Sequence, residues 1–463
     1  MNQAAQWIDE DRRQPSTANS ADRLSFLKFL LRYPIFLLAF GPPLLRSSGI
    51  DATKGMIDVW SVLQVGLLSS IALRAILRLA LTRAILIPKQ IRSVLKLAFW
   101  LGVLFLASAA YSPSRLVSVA YSIIYFLVFV CVVEFIVDTY KAPPNWMQCI
   151  FHLRLIALML LVLDLIVLFF NSRLVTTVEG GAGVRFGGGA VGPVVLICPV
   201  IAIISVFTFQ HSLESKGRSV FFFLVGLAGT FSTQSRGCEL ALLFTLSILA
   251  LRWAKTGRRT AYIFISGFLV FMLFFGVVLG AVGGGSIWRI VNRGESAKDI
   301  ASASGRTAMW QFVIQYCVKH PQGMGYVAGF RMIFREQSAS ILRLNPASIG
   351  NAHNGYFQVL ADAGWLALAI YLIMLTMIVR LAMRFANRIP HRGFASDNLS
   401  RESIECFMLV LIYCLAEGMD TSGFAVPLTV VSHWQNIIVA IILSISARLI
   451  LASRISRSEP AEL

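Results

Sequence analysis

Residues 219–251 read SVFFFLVGLAGTFSTQSRGCELALLFTLSILAL, an apolar stretch of 33 residues interrupted at its centre by the polar cluster STQSRG. A single helix of this length would measure about 50 Å, whereas the hydrocarbon core of a bilayer is about 30 Å thick. Basic residues flank the stretch on both sides, and the positive-inside rule places both flanks in the cytoplasm. The stretch is therefore predicted to cross outward as a helix near 219–231 and to return as a helix near 238–251. Arg236 would stand at the outer tip, and Gly237 would allow the reversal.

The composition of the whole chain agrees with a membrane protein. Of 463 residues, 57% are hydrophobic and 14% are charged, against about a quarter charged in a soluble domain. Apolar runs of roughly 20 residues recur along the chain, the length that spans a bilayer. The sequence excludes a water-soluble globule and predicts an all-α, polytopic integral membrane protein.

The formal charge of +18 is concentrated in short segments that adjoin apolar runs. Such segments are typical of cytoplasmic loops, whereas nucleic-acid-binding proteins gather basic residues on one face. Nucleic acid is therefore not expected as a partner. The segments carry net charges of +6, +4, +4 and +3 and comprise residues 74–96, 252–259, 380–401 and 448–457, respectively.

The hydropathy pattern and the charge rule together predict about twelve spans, with both termini in the cytoplasm. Besides the two short helices above, the spans lie near 27–45, 57–77, 94–111, 116–137, 153–171, 189–209, 261–282, 356–379, 404–416 and 433–450. One long polar loop, 283–355, lies outside and is expected to contain short helices. The chain divides into a polar cytoplasmic tail, a first group of transmembrane helices, a catalytic region that includes the outer loop, and a last group of transmembrane helices with a tail: 1–22, 23–218, 219–382 and 383–463.

Twelve spans also suit a major-facilitator transporter, which joins two six-span halves by a central cytoplasmic loop. Here the largest loop lies on the outside, between the ninth and tenth spans. This asymmetry favours a catalytic or binding loop. The seven cysteines lie mostly inside apolar runs, so we expect them to pack rather than to form disulfides.

Arg236 is the first candidate for chemistry. A charge between apolar runs costs roughly 2.5–3.5 kcal/mol on insertion scales, so an intramembrane arginine indicates a function. The structural alternatives are snorkelling to the interface and pairing with Glu239.

Arg306 is the second candidate, in the segment SGRTAMWQFVIQYCVKHPQGMGY from Ser304 to Tyr326. Ser304 or Gly305 is predicted to open an amphipathic helix, which ends before Pro321. Its apolar face would comprise Met309, Trp310, Val313, Ile314 and Cys317. Arg306 then lies in the first turn, where a helix favours an anion, so the segment indicates a phosphate ligand. A nearby acid, Glu295 or Asp299, would serve equally well as a structural partner.

His353 is the third candidate, with Asn354 beside it, where the long loop returns to the membrane before a helix that carries Asp362. Histidine exchanges a proton near neutral pH and can act as a general base. A lone histidine also commonly has a purely structural role.

Together these motifs resemble the O-antigen ligase and polymerase superfamily, bacterial membrane glycosyltransferases that act on undecaprenyl-diphosphate-linked sugars. The resemblance covers about residues 219–375 and rests on the ordered set TQSRG, SGR-x-x-x-W followed by P-x-G-x-G, and HN-x-Y-x-x-x-L-x-x-x-G. It implies an all-helical fold with about twelve spans in the bacterial inner membrane and an active site that faces the periplasm. It also implies that Arg236, Arg306 and His353 are catalytic.

The resemblance extends to three candidate substrate-binding residues, Arg185, Trp310 and Asn354. Arg185 lies in RFGGGAVGP, where family members often have asparagine beside the proline and this chain has none. Asn354 would orient His353 or the sugar. Trp310 would contact a sugar or simply pack the helix.

We expect no cofactor and no metal. The outer segments lack a D-x-D motif, and the chain has neither H-E-x-x-H nor closely spaced Cys and His residues. Fixed arginines can replace a metal, because one unit pair at 4 Å is worth roughly 4 kcal/mol before desolvation at an effective dielectric of about 20.

Several alternatives remain open. The acceptor would be a glycan, for a polymerase of exopolysaccharide or O-antigen repeat units, or lipid A core, for a ligase. From another class, the chain would be a transporter or flippase of the same lipid-linked sugar. For the intramembrane acids Asp164 and Glu134 we expect hydrogen bonds between helices, and the outer acids Glu417 and Asp420 are candidates to support the arginines.

Overall fold

The computed structural model describes a bundle of helices over a large part of the chain. The described residues are 26–40, 59–81, 87–170, 176–179, 182–186, 194–233, 235–255, 306–341, 352, 354–388, 401–418 and 430–458. The predicted span 261–282, the first part of the outer loop, and Asp420 lie outside them. His353 also lies outside, although both of its neighbours are described.

The helices begin and end close to the predicted spans. They are α1 (Phe26–Arg32), a 3₁₀ helix (Pro34–Phe40), α2 (Val59–Leu81), α3 (Lys89–Ala107), α4 (Arg115–Lys141), α5 (Trp146–Phe170), α6 (Val194–Gln210), α7 (Lys216–Ser232), α8 (Arg236–Lys255), α9 (Arg306–Lys319), α10 (Ala328–Ile341), α11 (Gly355–Arg388), α12 (Arg401–Glu417) and α13 (Val430–Ser458). A second short 3₁₀ helix, Ser108–Ala110, follows α3.

The protein is a multi-pass membrane protein. Five helices of the described ranges are long and apolar enough to cross a bilayer, namely Lys89–Ala110, Arg115–Lys141, Trp146–Phe170, Gly355–Arg384 and His433–Ile450. The total of twelve spans stays a prediction.

One element departs from the predicted all-α fold. Thr176–Glu179 and Ala182–Phe186 form strands β1 and β2 of a two-stranded antiparallel hairpin, with Thr177 opposite Arg185. Threonine and valine favour strands, and Gly180 and Gly181 between them favour a tight turn. The hairpin joins α5 to α6 in the sequence.

The break in the 33-residue stretch is confirmed, but Gly237 does not make it. The helices α7 and α8 are separated at residues 233–235, and Gly237 lies inside the first turn of α8. The backbone N–H of Ser235 donates to Oγ1 of Thr233, and the N–H of Cys238 donates to Oγ of Ser235. Ser235 is therefore the N-cap, and hydroxyl capping rather than glycine sets the turn.

Ion pairs gather at one end of the bundle, which the charge rule assigns to the cytoplasm. Arg154 forms a bidentate pair with Glu214, and Thr208 and Ser219 donate to the same carboxylate. Burial alone would raise the pKa of Glu214, but the hydrogen bonds and the charge of Arg154 lower it to about 2. We refer to this end as the ion-pair end.

Two further pairs lie at the ion-pair end. Arg78 of α2 contacts Glu134 of α4 at 3.1 Å, which confirms the expected interhelical bond of Glu134, and Arg252 contacts Glu405 at 2.9 Å. Asp164 is fully buried within α5. All seven cysteines are buried and form no disulfide, as predicted.

Candidate active site

The start of α11 fixes the backbone directly after His353. The side-chain Oδ1 of Asn354 accepts hydrogen bonds from the backbone N–H groups of Tyr356 and Phe357, at 2.9 and 3.1 Å. The carbonyl oxygen of Asn354 accepts the first helical bond, from Gln358. Asn354 is thus the N-cap of α11 and is itself buried.

The residue before His353 is held equally firmly. Ala352 is fully buried, its N–H donates to Oε1 of Gln358 at 2.8 Å, and its carbonyl oxygen accepts a bond of 2.9 Å from Nε1 of Trp310. With Asn354 as a cap on the other side, both peptide neighbours of His353 have fixed positions.

Helix α9 places Arg306 near this segment. Arg306 is the first residue of α9 and is half-buried, and Trp310 lies one turn later on the same face. Their Cβ atoms are therefore about 6 Å apart. Since Trp310 bonds to Ala352, Arg306 lies one turn along α9 from the residue that contacts the His353 segment.

Trp310 is held by protein on two sides. Besides its bond to Ala352, its ring stacks on Phe357 with centroids 5.4 Å apart. These contacts show Trp310 in a packing role, which is one of its two expected roles beside contact with a sugar. The predicted apolar face of α9 is otherwise right for Met309, Val313 and Cys317, which are buried, and wrong for Ile314, which is 38% exposed.

The P-x-G-x-G loop after α9 packs into a kink of α11. The N–H groups of Met324 and Gly325 donate to the carbonyl oxygens of Ala361 and Asp362, and the N–H of Trp365 donates to that of Pro321. Gly364 has φ +79°, and a Cβ atom there would lie 1.9 Å from the Pro321 carbonyl oxygen. Only glycine fits this contact.

The kink bends α11 sharply. In a straight helix, Tyr356 and Tyr371 would be about 22 Å apart along the axis, whereas their ring centroids are 6.0 Å apart. The first segment of α11, residues 355–363, is therefore a short helix that turns away from the axis of the spanning segment.

Arg236 begins α8, at the same end of the bundle as the start of α11. Its side chain lies outside the described part of the structure. The thiol of Cys238 lies 3.2 Å from the carbonyl oxygen of Val195, at the start of α6, and 3.3 Å from the hydroxyl of Tyr413. The hydroxyl of Tyr413 also donates to Val195. The start of α8 is thus held against the last turns of α12.

The carboxyl end of α12 joins the starts of α8 and α11. Gly418, five residues after Tyr413, accepts a bond of 2.8 Å from the N–H of Gly355, and the hydroxyl of Tyr356 donates to the carbonyl oxygen of Leu415. Glu417 is buried between these contacts. Three helix starts therefore converge, and they carry Arg236, Arg306 and, directly before α11, His353.

Converging helix starts suit an anion. Each contributes the partial positive charge of a helix N-terminus, and two of them begin with arginine. The arrangement favours a phosphate-bearing ligand.

The comparison with protein families agrees with this chemistry. Residues 221–372 match the family described as O-antigen ligase. The chain carries an O-antigen ligase domain. This family consists of membrane glycosyltransferases that act on lipid-linked glycans. Comparison with curated proteins finds no match.

The ligase domain includes all three predicted catalytic positions and the kink at Gly364. Arg185 lies outside the matched residues, in β2, and its side chain is not among the described ones. Sequence reasoning missed Gln358 and Gly418, which bind the backbone on either side of His353. The sequence signal for Gln358 is a polar residue in an otherwise apolar helix, one turn after Asn354.

Proposed function

We propose that the protein is a metal-independent, inverting glycosyltransferase that uses an undecaprenyl-diphosphate-linked glycan as donor at the periplasmic face. More specifically, the proposed enzyme is a polymerase that joins exopolysaccharide or O-antigen repeat units. The convergence of three helix starts, two of them beginning with arginine, beside the doubly anchored His353 segment carries this proposal.

In the proposed reaction, His353 takes the proton from an acceptor sugar hydroxyl as the oxygen attacks the anomeric carbon. The bond between that carbon and the diphosphate oxygen breaks, and the diphosphate leaves with the electron pair. Arg236 and Arg306 stabilise the charge that develops on it, and their guanidinium groups are permanently protonated. A positioned base gives roughly 10²–10⁴ in rate.

Three further residues would support the reaction. Arg185 would contact the glycan from the hairpin side. Asn354 and Trp310, whose described contacts are with the protein, would act chiefly by placing His353.

The test is reconstitution of the purified protein in lipid nanodiscs with lipid-linked repeat units. A ladder of products without added lipid A core supports the polymerase, and transfer only when core is added supports the ligase that the family description names. Binding of the lipid-linked unit without any transfer would support a transporter or flippase and contradict the proposal.

Three variants test the roles with matched controls. His353→Ala should abolish transfer, whereas His320→Ala, an exposed histidine of the same outer region, should not. Arg306→Lys and Arg236→Lys should each lose most activity because lysine cannot bind phosphate in two places. Arg115→Lys, an exposed arginine that begins α4, should retain it. Full activity of His353→Ala would disprove the base assignment.

A further inference from the structure

A buried glutamine connects the His353 segment to the kink loop. Gln358 is 2% exposed, its Oε1 accepts the N–H of Ala352 at 2.8 Å, and its Nε2 donates to Oδ1 of Asp362 at 2.8 Å. The same Oδ1 accepts the N–H of Val327 at 3.0 Å. Two side chains, Gln358 and Asp362, thus link the residue before His353 to the P-x-G-x-G loop region.

The two partners fix the orientation of the amide. A backbone N–H can only donate, so the oxygen of Gln358 faces Ala352, and its nitrogen donates to Oδ1 of Asp362. Leucine or methionine would fit this apolar helix but would leave the buried N–H of Ala352 without an acceptor, which is costly. The position therefore requires a group that accepts on one side and donates on the other.

The kink brings these groups together. Gln358 and Asp362 lie one turn apart on the short first segment of α11, and the bend at Gly364 sets this segment against the loop that carries Val327. A hydrogen-bond chain runs from Val327 through Asp362 and Gln358 to Ala352, and then to Trp310 on α9.

We infer that Gln358 is a positioning residue of the transferase, which sets the backbone of His353 relative to α9 and therefore the imidazole relative to Arg306. This inference rests on the proposed function. A residue that only stabilises the fold would lower the unfolding temperature and leave kcat unchanged. A positioning residue lowers kcat and leaves KM for the donor nearly unchanged. A displacement of about 1 Å at a reacting group can cost up to 10²-fold in rate.

The experiment measures kcat, KM for the lipid-linked donor, and thermal unfolding for Gln358→Met. We expect kcat to fall about tenfold or more with KM nearly unchanged. Thr208→Val is the control, because Thr208 is also a fully buried polar residue and donates to Glu214 at the ion-pair end. It should lower the unfolding temperature without lowering kcat.

A second pair of variants keeps the test decisive if Gln358→Met folds poorly. Gln358→Glu still accepts from Ala352 but places a carboxylate against Asp362, so activity should be lost. Adding Asp362→Asn removes one of the two facing acids and should recover part of kcat. A double variant no more active than Gln358→Glu would overturn the inference.

His353→Ala, assayed in parallel, separates the two claims. If it is inactive while Gln358→Met has a wild-type kcat, only the inference about Gln358 fails. If His353→Ala retains transfer, the proposed function itself fails.

Discussion

The indole nitrogen of Trp310 donates a hydrogen bond of 2.9 Å to the carbonyl oxygen of Ala352, the residue before His353. This bond joins α9, which begins with Arg306, to the start of α11. Because the same indole ring stacks on Phe357, one side chain contacts the chain on both sides of His353. The distance between the proposed base, His353, and the proposed phosphate-binding residue, Arg306, therefore depends on Trp310, which need not contact the substrate.

Replacing Trp310 by Phe should lower kcat. The variant keeps an aromatic ring against Phe357 but removes the donor to Ala352, so we expect kcat to fall about tenfold while KM for the donor changes little. Trp365→Phe is the matched control, because its Nε1 donates to the carbonyl oxygen of Cys317, away from His353. If Trp310 binds a sugar instead, KM should rise with the loss of the ring in Trp310→Ala and stay unchanged in Trp310→Phe.

Replacing Asn354 separates capping from sugar recognition. Asn354→Ala removes the acceptor for Tyr356 and Phe357 and should cost about 1 kcal/mol of stability. Asn354→Asp keeps a capping oxygen and should retain the unfolding temperature of the wild type and most of its activity. A stable but inactive Asn354→Asp would show that the amide group contacts the substrate.

The sequence predicted the local features of this site better than the connections between them. Arg306 at a helix start follows from the neighbouring small residues and the apolar spacing, and the structure places it there. The sequence predicts the turn before α8 at Gly237, whereas the hydroxyl groups of Thr233 and Ser235 bind the backbone at this turn and Gly237 lies in the helix. The hairpin was missed because nine strand residues are a weak signal beside long apolar runs.

The pairing of Gln358 with Ala352 could not be read from the sequence. It is a local bond across the start of α11, whereas the contact of Asp362 with Val327 depends on the positive φ of Gly364, which brings the first segment of α11 against the P-x-G-x-G loop. Helical periodicity predicts a straight continuation through this glycine, so tertiary packing decides the bend. The contact of Gly355 with Gly418 has the same origin, since it joins helices 63 positions apart in the sequence.

Replacing Gly364 by Ala should destabilise the protein. Its φ of +79° and the closeness of the Pro321 carbonyl oxygen leave no room for a methyl group, so we expect a loss of at least about 2 kcal/mol. Gly66→Ala is the control, because the Cβ position at Gly66 in α2 meets no atom within 4 Å. That variant should gain roughly 0.5–1 kcal/mol, since alanine favours a helix. Thermal unfolding in detergent measures both, and equal stability of the two variants would contradict the role of the kink.

Glu214 should stabilise the ion-pair end in a manner that depends on pH. Its pKa is lowered from 4.5 to about 2, so its contribution is complete above about pH 4.5 and is lost as the pH falls toward 2. Glu214→Gln leaves Arg154 buried without its charged partner and should cost about 3–5 kcal/mol at pH 7. The variant should also show less acid dependence than the wild type between pH 4.5 and 2.

Arg218→Ala removes a 64% exposed arginine from the same carboxylate and should change stability by less than about 1 kcal/mol. Equal unfolding temperatures for Glu214→Gln and Arg218→Ala at pH 7 would show that the buried pair contributes no more than an exposed one.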